Sequence, residues 1–219
     1  MPGSSSSRRW QVVSITTATI LALPVMTVFA YLLVPDREVW RHLVNTVLKD
    51  YVVNSLWLLL GVSFGTLSMG IITAWLTSVC EFPGRRVLLW MLLLPMSMPA
   101  YIIAYTYTGM LDFSGPVQSG LRAIFDWSAT DYWFPDVRSV GGAMSMLALV
   151  LYPYVYLLAR AAFLEQSVSI LDASRTLGYS PWRSFLRVSL PIARPAIIAG
   201  LALALMETLA DYGTVQYFG

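Results

Sequence analysis

The chain alternates long apolar runs with short polar stretches. Five runs are each long enough to cross a bilayer, which takes about 20 apolar residues. They fall at approximately 12–34, 54–79, 87–109, 140–160 and 192–213. Each is too long and too apolar for a strand. Backbone groups in lipid must be satisfied within the segment, so all five predict transmembrane helices. The expected fold class is all-α, a polytopic membrane protein with about five spans. The leader 1–11 is small and polar and reads as disordered. Arg8 and Arg9 precede an apolar run, as in an export signal. The run 12–34 exceeds the apolar core of such a signal and lacks a small-x-small cleavage site, so it predicts an uncleaved anchor helix.

Composition strengthens this picture. The 219 residues are 57% hydrophobic and 12% charged, with a mean hydropathy of +0.65. Soluble domains carry about twice that share of charge. A net charge of +2 without a basic tail argues against a nucleic-acid partner. Cys80 is the one cysteine, so no intrachain disulfide forms, and it reads as an inert thiol at a helix end.

Basic residues set the expected orientation. With a cytoplasmic N-terminus, the inner segments hold Arg8, Arg9, Arg85, Arg86, Arg160, Arg175, Arg183, Arg187 and Arg194. The outer segments hold Arg37, Arg41, Lys49, Arg122 and Arg138, and the excess inside satisfies the positive-inside rule. The stretch 35–53, with three basic residues outside, runs against it. The outer stretch 110–139 carries Asp112, Asp126, Asp131 and Asp136 beside Trp127, Tyr132 and Trp133. It is too polar to span and reads as a solvated loop with interfacial aromatics rather than a cation site. His42 is the only histidine and reads as a surface residue rather than a metal ligand.

One stretch does not belong in lipid: "SILDASRTLGYSPWRSFLRVSLPIARP", 169–195. Ser169 and Asp172 fit the ends of a capping box. Gly178 fits the left-handed position after a helix. Ser180 and Pro181 read as the N-cap and first residue of a second helix. Trp182, Phe185 and Leu186 form its apolar face, and Leu190-Pro191 is expected to end it. The pattern is helix, glycine turn, helix, with Arg175, Arg183 and Arg187 on the other side. Helices this short need something to pack on. A protein partner or lipid headgroups would both serve.

The spacing Asp172-Ala173-Ser174, then Gly178, then Val188-Ser189-Leu190-Pro191 resembles the "EAA" signature of permease subunits of binding-protein-dependent ABC importers of type I. Asp for Glu at 172, Ser for Ala at 174 and Val for Ile at 188 are the departures. The resemblance implies that 164–191 is a loop coupling the spans to a cytoplasmic ABC ATPase, with a periplasmic solute-binding protein as a further partner. It also implies a second permease half or copy and an inner-membrane location. No G-x-x-x-x-G-K-[ST] is present, which agrees with ATP hydrolysis on a separate subunit and with a chain that is neither an enzyme nor the holder of a cofactor.

Two further stretches, "LLPMSMPAYIIAYTYTGMLD" at 93–112 and "LMETLADYGTVQYFG" at 205–219, resemble ferric-iron importer permeases, with thiamine and phosphonate permeases near. Such permeases are about twice this length, so the chain looks like the N-terminal half of a fused permease, with 50–219 as its transmembrane domain. Ferric iron is the expected cargo. A non-transporting fragment or membrane scaffold is the rival reading.

Other residues give weaker signals. Pro95 and Pro99 should break or kink the third span. Tyr101 and Tyr105, four apart, fit either a translocation path or an aromatic belt. Glu207 and Asp211, also four apart, are expected on one face of the last span, facing a path or pairing structurally. Gly61 and Gly65 form a G-x-x-x-G that permits close helix approach. No metal site is read.

Overall fold

A computed structural model of the chain describes residues 4–33, 37–166, 176 and 178–218. Among these every regular element is helical. The chain divides into two compact units, Met1–Val52 and Val53–Gly219.

In the first unit, α1 (Ser4–Leu33) is apolar along its length, with Pro24 inside it. The predicted disorder of 1–11 gives way to helix from Ser4. Propagating an existing helix fixes one residue per hydrogen bond gained, which costs far less than nucleation. Between Trp10 and Tyr31 no side chain is buried, as suits a helix whose solvent is lipid. The hydroxyls of Thr19 and Thr27 donate to the carbonyls of Ile15 and Leu23 at 2.8 Å, so their polar atoms are satisfied within the helix. α2 (Arg37–Thr46) follows, with Glu38 in its first turn.

α3 runs from Leu48 to Val79. Arg85 closes its end by donating to the carbonyls of Thr77 (2.8 Å) and Ser78 (3.2 Å), where helix carbonyls lack intrahelical partners. Cys80 follows this helix directly and is free.

The third apolar run is not one helix. It divides into α4 (Arg85–Met91), a 3₁₀ turn (Leu94–Ser97) and α5 (Ala100–Leu111). Met98 is extended at φ −124°, and the axes on its two sides differ by 101°. Pro99 disfavours the helical conformation for the residue before it, in keeping with the break at Met98. The expected continuous span 87–109 is thus a broken one. α6 (Pro116–Phe125) then lies within the stretch read from sequence as a loop. Pro116 opens it, and Asp126, with φ +54°, closes it.

α7 (Val140–Glu165) forms the centre of the second unit. Leu147, Val155, Tyr156 and Ala159 on it are fully or almost fully buried. α8 (Pro181–Ser184) leads through a π-helical turn (Phe185–Ser189) into α9 (Leu190–Ala210), and α10 (Tyr212–Phe218) follows. α3 and α9 both press closely on α7. A Cβ at Gly65 would lie 2.5 Å from Ala148 Cβ, and one at Gly200 would lie 2.8 Å from Val155 Cα. Small residues let backbones approach and gain dispersion contact where no hydrophobic force acts between helices.

Candidate functional site

Three groups of residues concern function. The first is the helix–turn–helix stretch. Asp172, Ala173 and Ser174 lie outside the described residues, as does the capping box at Ser169. Gly178 has φ +79°, a conformation that side chains with a Cβ rarely adopt. Ser180 is the N-cap of α8, its hydroxyl accepting from the Arg183 N–H at 3.4 Å, with Pro181 in the first helical position.

Leu190 and Pro191 do not end this helix. The chain passes through Phe185–Ser189 and continues directly as α9, with Pro191 in its first turn. The Leu190 N–H reaches back five residues to the Phe185 carbonyl. A proline has no N–H to offer, and its ring crowds the carbonyl four residues earlier. The wider π turn relieves that crowding, so the helix is widened instead of stopped. Val188 lies in this turn, and Ser189 is completely buried.

The turn is anchored by residues the sequence did not single out. The Phe185 ring lies 4.6 Å from that of Trp75 and 6.2 Å from that of Phe163, centroid to centroid. Trp75 and Phe163 meet edge-on at 5.5 Å. Gln166, at the end of α7, donates from Nε2 to the Ser189 carbonyl at 2.9 Å.

The second group lines a cleft of about 360 Å³ at the broken span, bounded by residues 96–100, Val150, Leu151, Tyr154 and Glu207. Glu207 is the only charged side chain in that lining. Asp211 is the C-cap of the same helix, its N–H still reaching the Glu207 carbonyl at 2.9 Å, but its carboxylate has a different task. α9 ends at Ala210, and Asp211 turns out of the helix to cap α10, accepting from the Thr214 N–H (2.9 Å) and hydroxyl (2.6 Å). The expected pair therefore separates into a cleft carboxylate and a capping carboxylate. A short carboxylate makes a better cap than one more helical turn placing a charge in lipid. Tyr101 and Tyr105 are both exposed on α5. Tyr105 meets Tyr217 of α10 edge-on at 5.9 Å.

The third group is the stretch 112–138. Tyr132 donates its hydroxyl to Gln118 Oε1 (2.7 Å) and accepts from Arg122 (2.8 Å), while Gln118 Nε2 donates to the Leu111 carbonyl (2.8 Å). Asp131 accepts from the Ser128 N–H at 2.7 Å, and this hydrogen bond holds its carboxyl below the usual value. The four acids of this stretch do not gather: no group of three His, Cys, Asp or Glu able to hold a metal occurs among the described residues. His42 is exposed on α2.

Residues 66–219 match the family described as "Binding-protein-dependent transport system inner membrane component", and the chain belongs to that family. Its members are membrane transport components, not enzymes. The chain is 31% identical over 153 residues to the molybdenum transport system permease protein ModB of Escherichia coli K12, covering 70% of this chain and 64% of that protein. It is 30% identical over 148 residues to the sulfate transport system permease protein CysT of the same organism, covering 68% and 50%. It is 25% identical over 204 residues to a probable sulfate transport system permease protein of Marchantia polymorpha, covering 90% and 66%. The chain thus spans between half and two thirds of these relatives. Their names give molybdenum and sulfate where the resemblance of 93–112 and 205–219 suggested ferric iron; the family is shared and the named cargo differs.

Proposed function

We propose that this chain is the membrane-spanning permease part of an ATP-driven importer that takes solute from a periplasmic binding protein and releases it into the cytoplasm. Family membership over 66–219 carries this reading. The turn at Gly178, followed by a capped helix running unbroken into α9, supports 164–191 as the seat of a cytoplasmic ABC ATPase. The N-terminus is cytoplasmic, and a second permease half or copy completes the path. No covalent chemistry occurs in this subunit. ATP binding and hydrolysis on the partner move the helices between inward-open and outward-open arrangements.

For the cargo, the charge of the cleft favours a cation. Glu207 is the one charged residue in the lining, beside the proline break and the polar side chains of Ser97 and Tyr154. A carboxylate facing the cleft attracts a cation and repels a dianion, and solvent weakens both effects where the side chain is exposed, as Glu207 is. Ferric iron is the reading we adopt, in line with the resemblance of 205–219. The oxyanion reading draws on the names of the molybdenum and sulfate relatives. Uptake of radiolabelled ferric iron, molybdate and sulfate by cells with and without the transporter separates the two. Iron uptake that depends on the transporter and survives excess molybdate and sulfate supports the cation reading. Transporter-dependent uptake of either oxyanion alone replaces it, and uptake of none of the three removes both.

A further inference from the structure

We propose that Trp75 on α3 and Phe163 on α7 are the positioning residues through which movement of α8 reaches the spans, with Phe185 as the link. The inference rests on the coupling-loop reading above and deepens it. A continuous series of rings leads from surface to interior. Trp182 is 64% exposed and its ring lies 5.4 Å from that of Phe185, which is only 6% exposed. Phe185 in turn touches Trp75 and Phe163, which touch each other. The three inner rings belong to three separate elements: α3, α7 and the π turn. Side chains packed at interior density leave few voids, so Phe185 cannot shift without displacing both partners.

The backbone at this point suits a small movement. Phe185 opens a π turn, a form that recurs at functional sites because its ladder is one residue out of α-helical register. The far end of the turn is tied to α7 through Gln166 and the Ser189 carbonyl. Among the described residues, Gln166 Oε1 and Ser189 Oγ are buried there with no hydrogen-bond partner. Motion delivered at Trp182 is therefore passed to α3 and α7 together, while α9 follows through the continuous backbone.

The test uses the complete transporter in proteoliposomes. It reads three quantities: ATPase retained on the purified membrane subunit, binding-protein-stimulated ATP hydrolysis, and uptake of whichever of ferric iron, molybdate or sulfate the unmodified transporter moves. Trp75→Ala is expected to lower uptake and stimulated hydrolysis about ten-fold, with ATPase retention within about two-fold of normal, and Trp75→Phe to recover about half or more of the uptake. Phe163→Ala should behave as Trp75→Ala does. Three outcomes overturn the proposal: unchanged uptake in Trp75→Ala, a parallel fall in protein abundance and ATPase retention, or no recovery in Trp75→Phe. An unmodified protein that retains no ATPase would instead overturn the coupling-loop reading itself, and this inference with it.

Discussion

The Tyr152 hydroxyl donates to the Leu92 carbonyl at 2.8 Å, joining residues 60 positions apart. Leu92 lies just past α4, before the 3₁₀ turn at Leu94–Ser97, and Tyr152 is buried in the middle of α7. The bond takes up a carbonyl at an interruption in the broken span, where irregular backbone is tolerated only beside protein or water. Tyr152→Phe should remove this partner with little change in volume. A loss of about 1 kcal/mol is expected in detergent unfolding, at the low end for an orphaned carbonyl. Unchanged stability would mean that water replaces the hydroxyl.

Gly65→Val should be more damaging. Its Cβ would overlap Ala148, so α3 and α7 must separate. Overpacking of this kind costs about 1–3 kcal/mol. Gly109 has no neighbouring atom within 4 Å of its would-be Cβ. Gly109→Ala is the control and should be neutral or slightly stabilising, since alanine is about 1 kcal/mol better in a helix. Thermal unfolding of both purified variants checks the contrast.

Glu207 and Asp211 should now give opposite phenotypes. Glu207→Gln is expected to lower uptake of ferric iron about ten-fold with membrane abundance intact, because it removes only the charge facing the cleft. Asp211→Ala should lower stability by about 1 kcal/mol through loss of the α10 cap, with uptake falling only in proportion to abundance. Uptake and immunoblots measured on the same cells distinguish them. Equal effects on abundance would remove Glu207 from the path.

Gly178→Val places a β-branched residue at φ +79°. Such a residue is a genuine outlier there. Among the described residues no atom beyond its chain neighbours lies within 4 Å of a Cβ placed there, so the expected effect comes from the backbone. Normal insertion, weakened ATPase retention and loss of stimulated ATP hydrolysis are expected in the complete transporter. Full retention and full uptake would show that this turn does not seat the motor.

Orientation has a direct readout. In a Cys80→Ser background, a cysteine at Ser180 should react with a membrane-impermeant thiol reagent only from the cytoplasm, and one at Ser128 only from the periplasm. The opposite pattern would reverse the topology and, with it, the placement of the ATPase.

The sequence by itself determined the all-helical class and the positions of the apolar runs, because the bilayer acts as a solvent on each segment separately; run length says which could cross, not whether one unbroken helix does so. It also determined local punctuation. Gly178, Ser180 and Pro181 act through their own backbone and nearest neighbours, so the turn and the start of α8 were legible from spacing. Tertiary structure decided the rest. A helix that is apolar on every side carries no stripe to say which face meets a neighbour. The meeting of Trp75, Phe163 and Phe185 therefore depends on how three helices are rotated and registered. The 101° turn at the prolines was readable as a break but not as a direction, since direction is set by what α5 packs against. Asp211 read as a partner of Glu207 while the last span was taken to reach 213. Only the end of α9 at Ala210, followed by a second helix needing a cap, gave that carboxylate a different task.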